Sequence, residues 1–145
     1  MAIDVLQHIR KEHGELIASL KRLECGSGQG DILVPKVLEE IQHHIQVEKE
    51  YWFPEVSAVL EGVEGALDEC SKNHPKIQSL IDTLSREGEA LTDLRNELLK
   101  LLMNHFDREE FVILPKIRKA MSAEEREDLA EVLLDLKHTE TSMLQ

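Results

Sequence analysis

The chain has 145 residues, enough for one domain with its own core, and is 41% hydrophobic but only 3% aromatic. Leu, Ile, Val and Ala supply nearly all the apolar volume, which favours packed helices over a sheet. Seventeen basic against twenty-nine acidic residues leave a formal net charge of −12, a sign that repels nucleic-acid phosphates and anionic lipid surfaces but attracts cations. The two cysteines, Cys25 and Cys70, are too few and too far apart for a disulfide framework or a zinc knuckle. No charged-then-apolar leader opens at Met1-Ala2-Ile3-Asp4, and no apolar run approaches the ~18 residues of a membrane span. A soluble, unprocessed, cytoplasmic protein with reduced thiols is expected.

Asp4 is placed to cap a first helix, in which Leu6, Ile9, Leu16, Ile17 and Leu20 recur at three and four. At about 100° per residue these lie within about 60° of His13, which therefore sits inside the apolar stripe. Gly26-Ser27-Gly28-Gln29-Gly30-Asp31 reads as a loop. A second helix is expected to begin near Ile32 to Pro35, with Val34, Val37, Leu38, Ile41, Ile45 and Trp52 as its stripe. His44 flanks that stripe and Glu48 lies close to its centre; Pro54 is expected to bend or end the helix.

Residues 55 to 62 read as a short further turn before Gly62 and Gly65. A third helix carries Leu67, Cys70, His74, Ile77, Ile81 and Leu84 on one side. Pro75 either kinks it or starts a fresh helix, and a kink is expected. After Gly88 a long fourth helix puts Leu91, Leu94, Leu98, Leu101, Leu102, His105, Glu109 and Val112 in line, and Pro115 should bend or end it. Ser122 and Glu125 form a capping box for a last amphipathic helix with Leu129, Val132, Leu133 and Leu136. Residues 1–121 are expected to form the bundle domain, with 122–145 as a helix and tail packed on it.

A duplication runs through these elements. His13, His44, Glu48 and Pro54 are each matched, 61 positions on, by His74, His105, Glu109 and Pro115. In both His-x-x-x-Glu steps the imidazole and carboxylate share a helix face, one turn apart. Counted from the connecting loops, all six groups reach one depth and can share a layer.

Any one histidine on an apolar stripe reads most simply as a hydrogen-bonded core residue. Six inward groups on a duplicated template favour metal instead, because unpaired carboxylates inside a core cost several kcal/mol. The expected centre has His13 and His44 on one metal, His74 and His105 on the other, and Glu48 and Glu109 spanning both. Two imidazoles, two carboxylate oxygens and a solvent-derived oxo or hydroxo bridge leave a position open on an octahedral ion. That favours iron, with manganese or zinc as substitutes. His8, His43 and His138 read as solvent-exposed. Glu40-Ile41-Gln42-His43 fits a Glu-x-x-His step but has no second copy. Glu110 is a rival to Glu109 that points further off the stripe, and Cys70 reads as an apolar filler before a redox neighbour.

The order His, then His-x-x-x-Glu up to Pro, then His, then His-x-x-x-Glu-Glu up to Pro, resembles the hemerythrin-like family of HHE cation-binding domains over about residues 4 to 116. The resemblance implies an all-α, up-down-up-down antiparallel four-helix bundle with a short additional C-terminal helix, and a non-haem di-iron centre at the six residues named. Oxygen-carrying members have a further histidine where this chain has Cys70, and an aspartate where it has Glu110, so the set departs at two positions from that of five-histidine oxygen transport. The four-histidine, two-glutamate set is more similar to bacterial members associated with nitric oxide, oxidative stress or iron-centre repair, and to iron-sensing members. The expected function is two irons with a small oxidant, dioxygen, nitric oxide or peroxide, at the open position, as a binding protein more than a dedicated catalyst. The alternatives are an iron or redox sensor, or a metal-stabilised interaction module, with a homo-oligomer possible through the last helix.

Overall fold

A computed structural model describes residues 3–24, 30–87 and 92–143. Its helices are α1 (Val5–Glu24), α2 (Gly30–Val47), α3 (Phe53–Val59), α4 (Glu64–Ser71), α5 (His74–Glu87), α6 (Thr92–Arg108), α7 (Leu114–Ala120) and α8 (Ala123–Met143). Every regular element among the described residues is helical. α1, α2, α5 and α6 pack in a ring, each against its two neighbours, and α8 lies along α1. Asp4 caps α1 as expected, its Oδ1 accepting from the Leu6 N–H at 2.9 Å. Ser122 and Glu125 form the reciprocal box at the start of α8, at 2.9 and 3.2 Å. Arg126 ties this corner together, donating to Asp4 Oδ2 at 2.8 Å and to the Met121 carbonyl at 3.0 Å.

Neither Pro54 nor Pro115 ends its helix. A π-helical segment, Glu48–Trp52, joins α2 to α3, and a second, Glu109–Ile113, joins α6 to α7. In each, the closing backbone bond runs five residues back, from Phe53 N–H to the Glu48 carbonyl and from Leu114 N–H to the Glu109 carbonyl. A proline lacks a donor and crowds the carbonyl four back. The wider turn ahead of it lets the chain pass without a break. The extra residue also rotates the downstream side chains about the helix axis, so Val112, expected on the stripe, is 39% exposed, while Ile113 and Leu114 are fully buried.

Other expectations shift locally. The segment around Pro75 is two helices and not one kinked helix: α4 stops at Ser71, and the Asn73 carbonyl accepts from Ile77 at 2.9 Å to open α5. Pro75 then sits in the first turn, where its missing N–H would have no intrahelical partner. Gly30 and Asp31, read as loop, belong to α2, and Gly65 lies inside α4. On α8 the buried stripe is Leu129, Ala130 and Leu133, with Val132 40% exposed. Cys25, Gly26 to Gln29, Gly88 and Leu91 lie outside the described residues, as does the side chain of His138.

The apolar interior forms two clusters. One gathers Val5, Leu6, Ile9, Trp52, Phe53, Cys70, Ile113, Leu114, Leu129 and Leu133; the other gathers Leu16, Leu20, Leu38, Ile41, Ile45, Ile77, Ile81, Leu98, Leu102 and Phe106. The chain crosses from one to the other four times, each time at a polar side chain: His13 between Ile9 and Leu16, Glu48 between Ile45 and Trp52, His74 between Cys70 and Ile77, Glu109 between Phe106 and Ile113. A polar layer is therefore held between two apolar ones.

Candidate metal centre

The layer brings together all six of His13, His44, Glu48, His74, His105 and Glu109, none more than 8% exposed. Ligand atoms of His13, His44, Glu48 and Glu109 lie within 4.8 Å of one another, and so do those of Glu48, His74 and His105. Glu48 faces both histidine pairs. Its Oε2 is 3.2 Å from His44 Nε2, and its Oε1 accepts from His74 Nε2 at 2.9 Å and His105 Nε2 at 2.6 Å. Glu109 also faces both pairs, with Oε1 3.0 Å from His105 Nε2 and Oε2 3.9 Å from His13 Nε2. Phe106 fixes one pair sterically: its ring stacks on His13 at 3.8 Å between centroids and meets His44 edge-on at 5.2 Å.

Several inward atoms are unsatisfied. Nε2 of His13, Nε2 of His44 and both oxygens of Glu109 are buried with no hydrogen-bond partner. Buried polar atoms of this kind are rare and costly unless an ion or water meets them. The protein groups alone adopt a compromise in charge. Burial would push His44 and His105 down, but the carboxylates beside them, Glu12 and Glu48 for one, Glu109 and Glu48 for the other, raise each to about 10. Burial also opposes ionisation of Glu48, yet the His105, His44 and His74 contacts outweigh it and hold its carboxyl well below the usual range. Glu109 goes the other way, pushed well up by burial and by the nearby Glu48 charge, and burial lowers His13. Cations between the imidazole and carboxylate atoms would replace these protons and satisfy the orphaned atoms. A set of imidazole nitrogens and carboxylate oxygens suits borderline divalent ions such as Fe, Mn or Zn.

Residues just outside the layer were not legible as partners. Nδ1–H of His44 donates to Glu12 Oε1 at 2.5 Å, and Nδ1–H of His13 donates to Glu110 Oε2 at 2.9 Å. Glu110 thus meets His13 from behind, while Glu109 points inward. Glu12 lies off the apolar stripe and has no acidic counterpart in the duplication; only its position beside His13 marked it. His8 and His43 are not the exposed residues expected. His8 is 11% exposed, with Nε2 3.5 Å from Glu12 Oε2, and His43 is half-buried. Both line a cavity of about 30 Å³ that reaches Glu48 and Glu109, with Trp52 on its wall and Leu133 of α8 contributed from the outer helix. Cys70 is fully buried among apolar neighbours, and burial, then Glu109 and Glu48, push its thiol up to about 12. It is a protonated core residue.

A helix bundle with a buried layer of imidazoles and carboxylates, short of cationic partners, defines a cation-binding helical protein. The match to a known family agrees: the hemerythrin HHE cation binding domain covers residues 4–117. The chain belongs to that family. Comparison with curated proteins and with solved structures finds no match. Among the described residues no helix is long and apolar enough to cross a membrane.

Proposed function

We propose that the chain is a non-haem di-iron protein that binds a small oxidant, dioxygen, nitric oxide or peroxide. His13 and His44 would hold one ion and His74 and His105 the other, with the carboxylates of Glu48 and Glu109 within reach of both. The observation that carries this reading is the placement of Glu48 and Glu109, each with one or both oxygens toward both histidine pairs. Bound iron would supply an open coordination position and reducing electrons. The chain's residues do the rest: the carboxylates set the spacing of the two positions, the rings of His13 and His44 are held by Phe106, and two apolar layers exclude bulk water.

Size supports the choice of ligand. A cavity of about 30 Å³ beside Glu48 and Glu109 takes a water-sized molecule and little more. Trp52 lines it, and the buried Nε1–H has no hydrogen-bond partner, which leaves one donor for a small polar guest. Iron-replete protein should contain close to two irons per chain by elemental analysis. The reduced protein, held without air, should change its optical and EPR spectra on adding nitric oxide, dioxygen or peroxide. His44→Ala and Glu109→Ala should each abolish that change; a full-sized response from either variant would overturn the assignment.

A further inference from the structure

The duplication is even at the six inner groups and uneven immediately behind them. Glu12 backs His44 and Glu110 backs His13, each carboxylate accepting from Nδ1. Carried by the 61-residue offset, the position equivalent to Glu12 is Asn73, and the position equivalent to Glu110 is Lys49. At the sequence positions where the first half has two carboxylates, the second has a neutral amide and a lysine, and Lys49 is exposed. The hydrogen bonding of the second pair reflects this. Among the described residues Nδ1 of His105 is buried with no partner, and the one carboxylate paired with His74 is Glu48, at the inward Nε2. Glu48 and Glu109 serve both pairs and so do not distinguish them.

A carboxylate on the outer nitrogen of an imidazole fixes the ring with Nε2 facing the metal and raises its basicity, and losing such a partner typically costs about 10–100-fold in affinity. Arg10 faces Glu110 at 3.8 Å and His8 faces Glu12 at 3.5 Å, so the two carboxylates act through the hydrogen bonds that orient the rings more than through net charge. We infer that the two halves of the centre are unequal, the His13–His44 half taking a divalent cation first and more tightly and the His74–His105 half second, with Glu12 and Glu110 as the positioning residues. The order of loading rests on the six-residue, two-ion centre proposed above. It also leaves the second ion as the one that can be lost while the first stays.

The test is a calorimetric titration of the metal-free, full-length protein with Fe(II) under anaerobic conditions. Two ions should bind in two resolved steps. Glu12→Gln and Glu110→Gln should each weaken the first step about 10–100-fold and shift the second far less. His105→Ala should keep one ion at first-step affinity, and His44→Ala one ion at second-step affinity. Asn73→Asp, which supplies the missing carboxylate at a position where Asp also opens a helix well, should tighten the second step. Helical circular dichroism of each metal-free variant separates these effects from unfolding. Two ions binding in a single step, equal shifts in both steps from the Gln variants, or an unchanged second step in Asn73→Asp would overturn the inequality and leave the two-ion centre standing. Fewer than two ions bound to the unmodified chain would overturn both.

Discussion

Glu48 has the greatest reach of any side chain in the polar layer, because three imidazoles depend on it at 3.2 Å or less. Removing it leaves those rings buried without their shared counter-charge. Glu48→Ala should therefore destabilise the metal-free protein by about 3–5 kcal/mol, the usual cost of breaking a buried charged pair, read by chemical denaturation. Trp52→Phe tests a different role. It keeps the apolar bulk and deletes the unpartnered indole N–H, so stability should hold while affinity for peroxide falls by a factor of about five, the worth of one hydrogen bond of about 1 kcal/mol. An unchanged peroxide affinity would show that the indole does not face the ligand. The six layer residues were readable from the chain because histidine and glutamate recur on apolar stripes at one offset. Glu12 and Glu110 were not, since each acts through a contact between helices that no single-helix pattern encodes.

At the scale of elements, helix existence followed from apolar spacing, and the caps at Asp4 and Ser122 followed from local chemistry. The prolines were not legible in the same way. A proline marks a disturbance but does not say which of several solutions the chain adopts: Pro54 and Pro115 are accommodated by a widened turn, Pro75 by a new start. That choice depends on packing of Trp52, Phe53, Ile113 and Leu114 into one apolar cluster, which is a tertiary matter. The C-terminal helix can be tested by its cap. Ser122→Ala removes the acceptor for the Glu125 N–H and should cost about 1 kcal/mol, seen as faster amide exchange in the first turn of α8. If exchange in that turn is unchanged, Arg126 alone anchors the corner.

For the whole molecule, charge in the centre makes stability depend on both pH and metal. His44 and His105 are raised from an ordinary 6.5 to about 10 in the folded, metal-free chain. A raised pKa contributes stability that is complete below 6.5 and is lost as pH climbs to about 10. Denaturation midpoints of metal-free protein should fall across that window. Metal binding displaces these protons, so Fe(II) affinity should rise with pH and loading should release protons to the medium. At a free concentration one hundred times Kd, a single bound ion adds about 2.7 kcal/mol, so chelation should lower the melting temperature and hasten proteolysis. A loaded protein no harder to digest than a stripped one would argue that the ions play no part in holding the bundle together.

The matching π segments set the register of everything beyond them. Each holds one residue more than a regular α-helix would need, and each begins at the equivalent glutamate, Glu48 in one half and Glu109 in the other. Deleting one residue from either segment would turn the downstream side chains by about 100° about the helix axis and carry Phe53, or Ile113 and Leu114, away from the apolar cluster that seals one side of the polar layer.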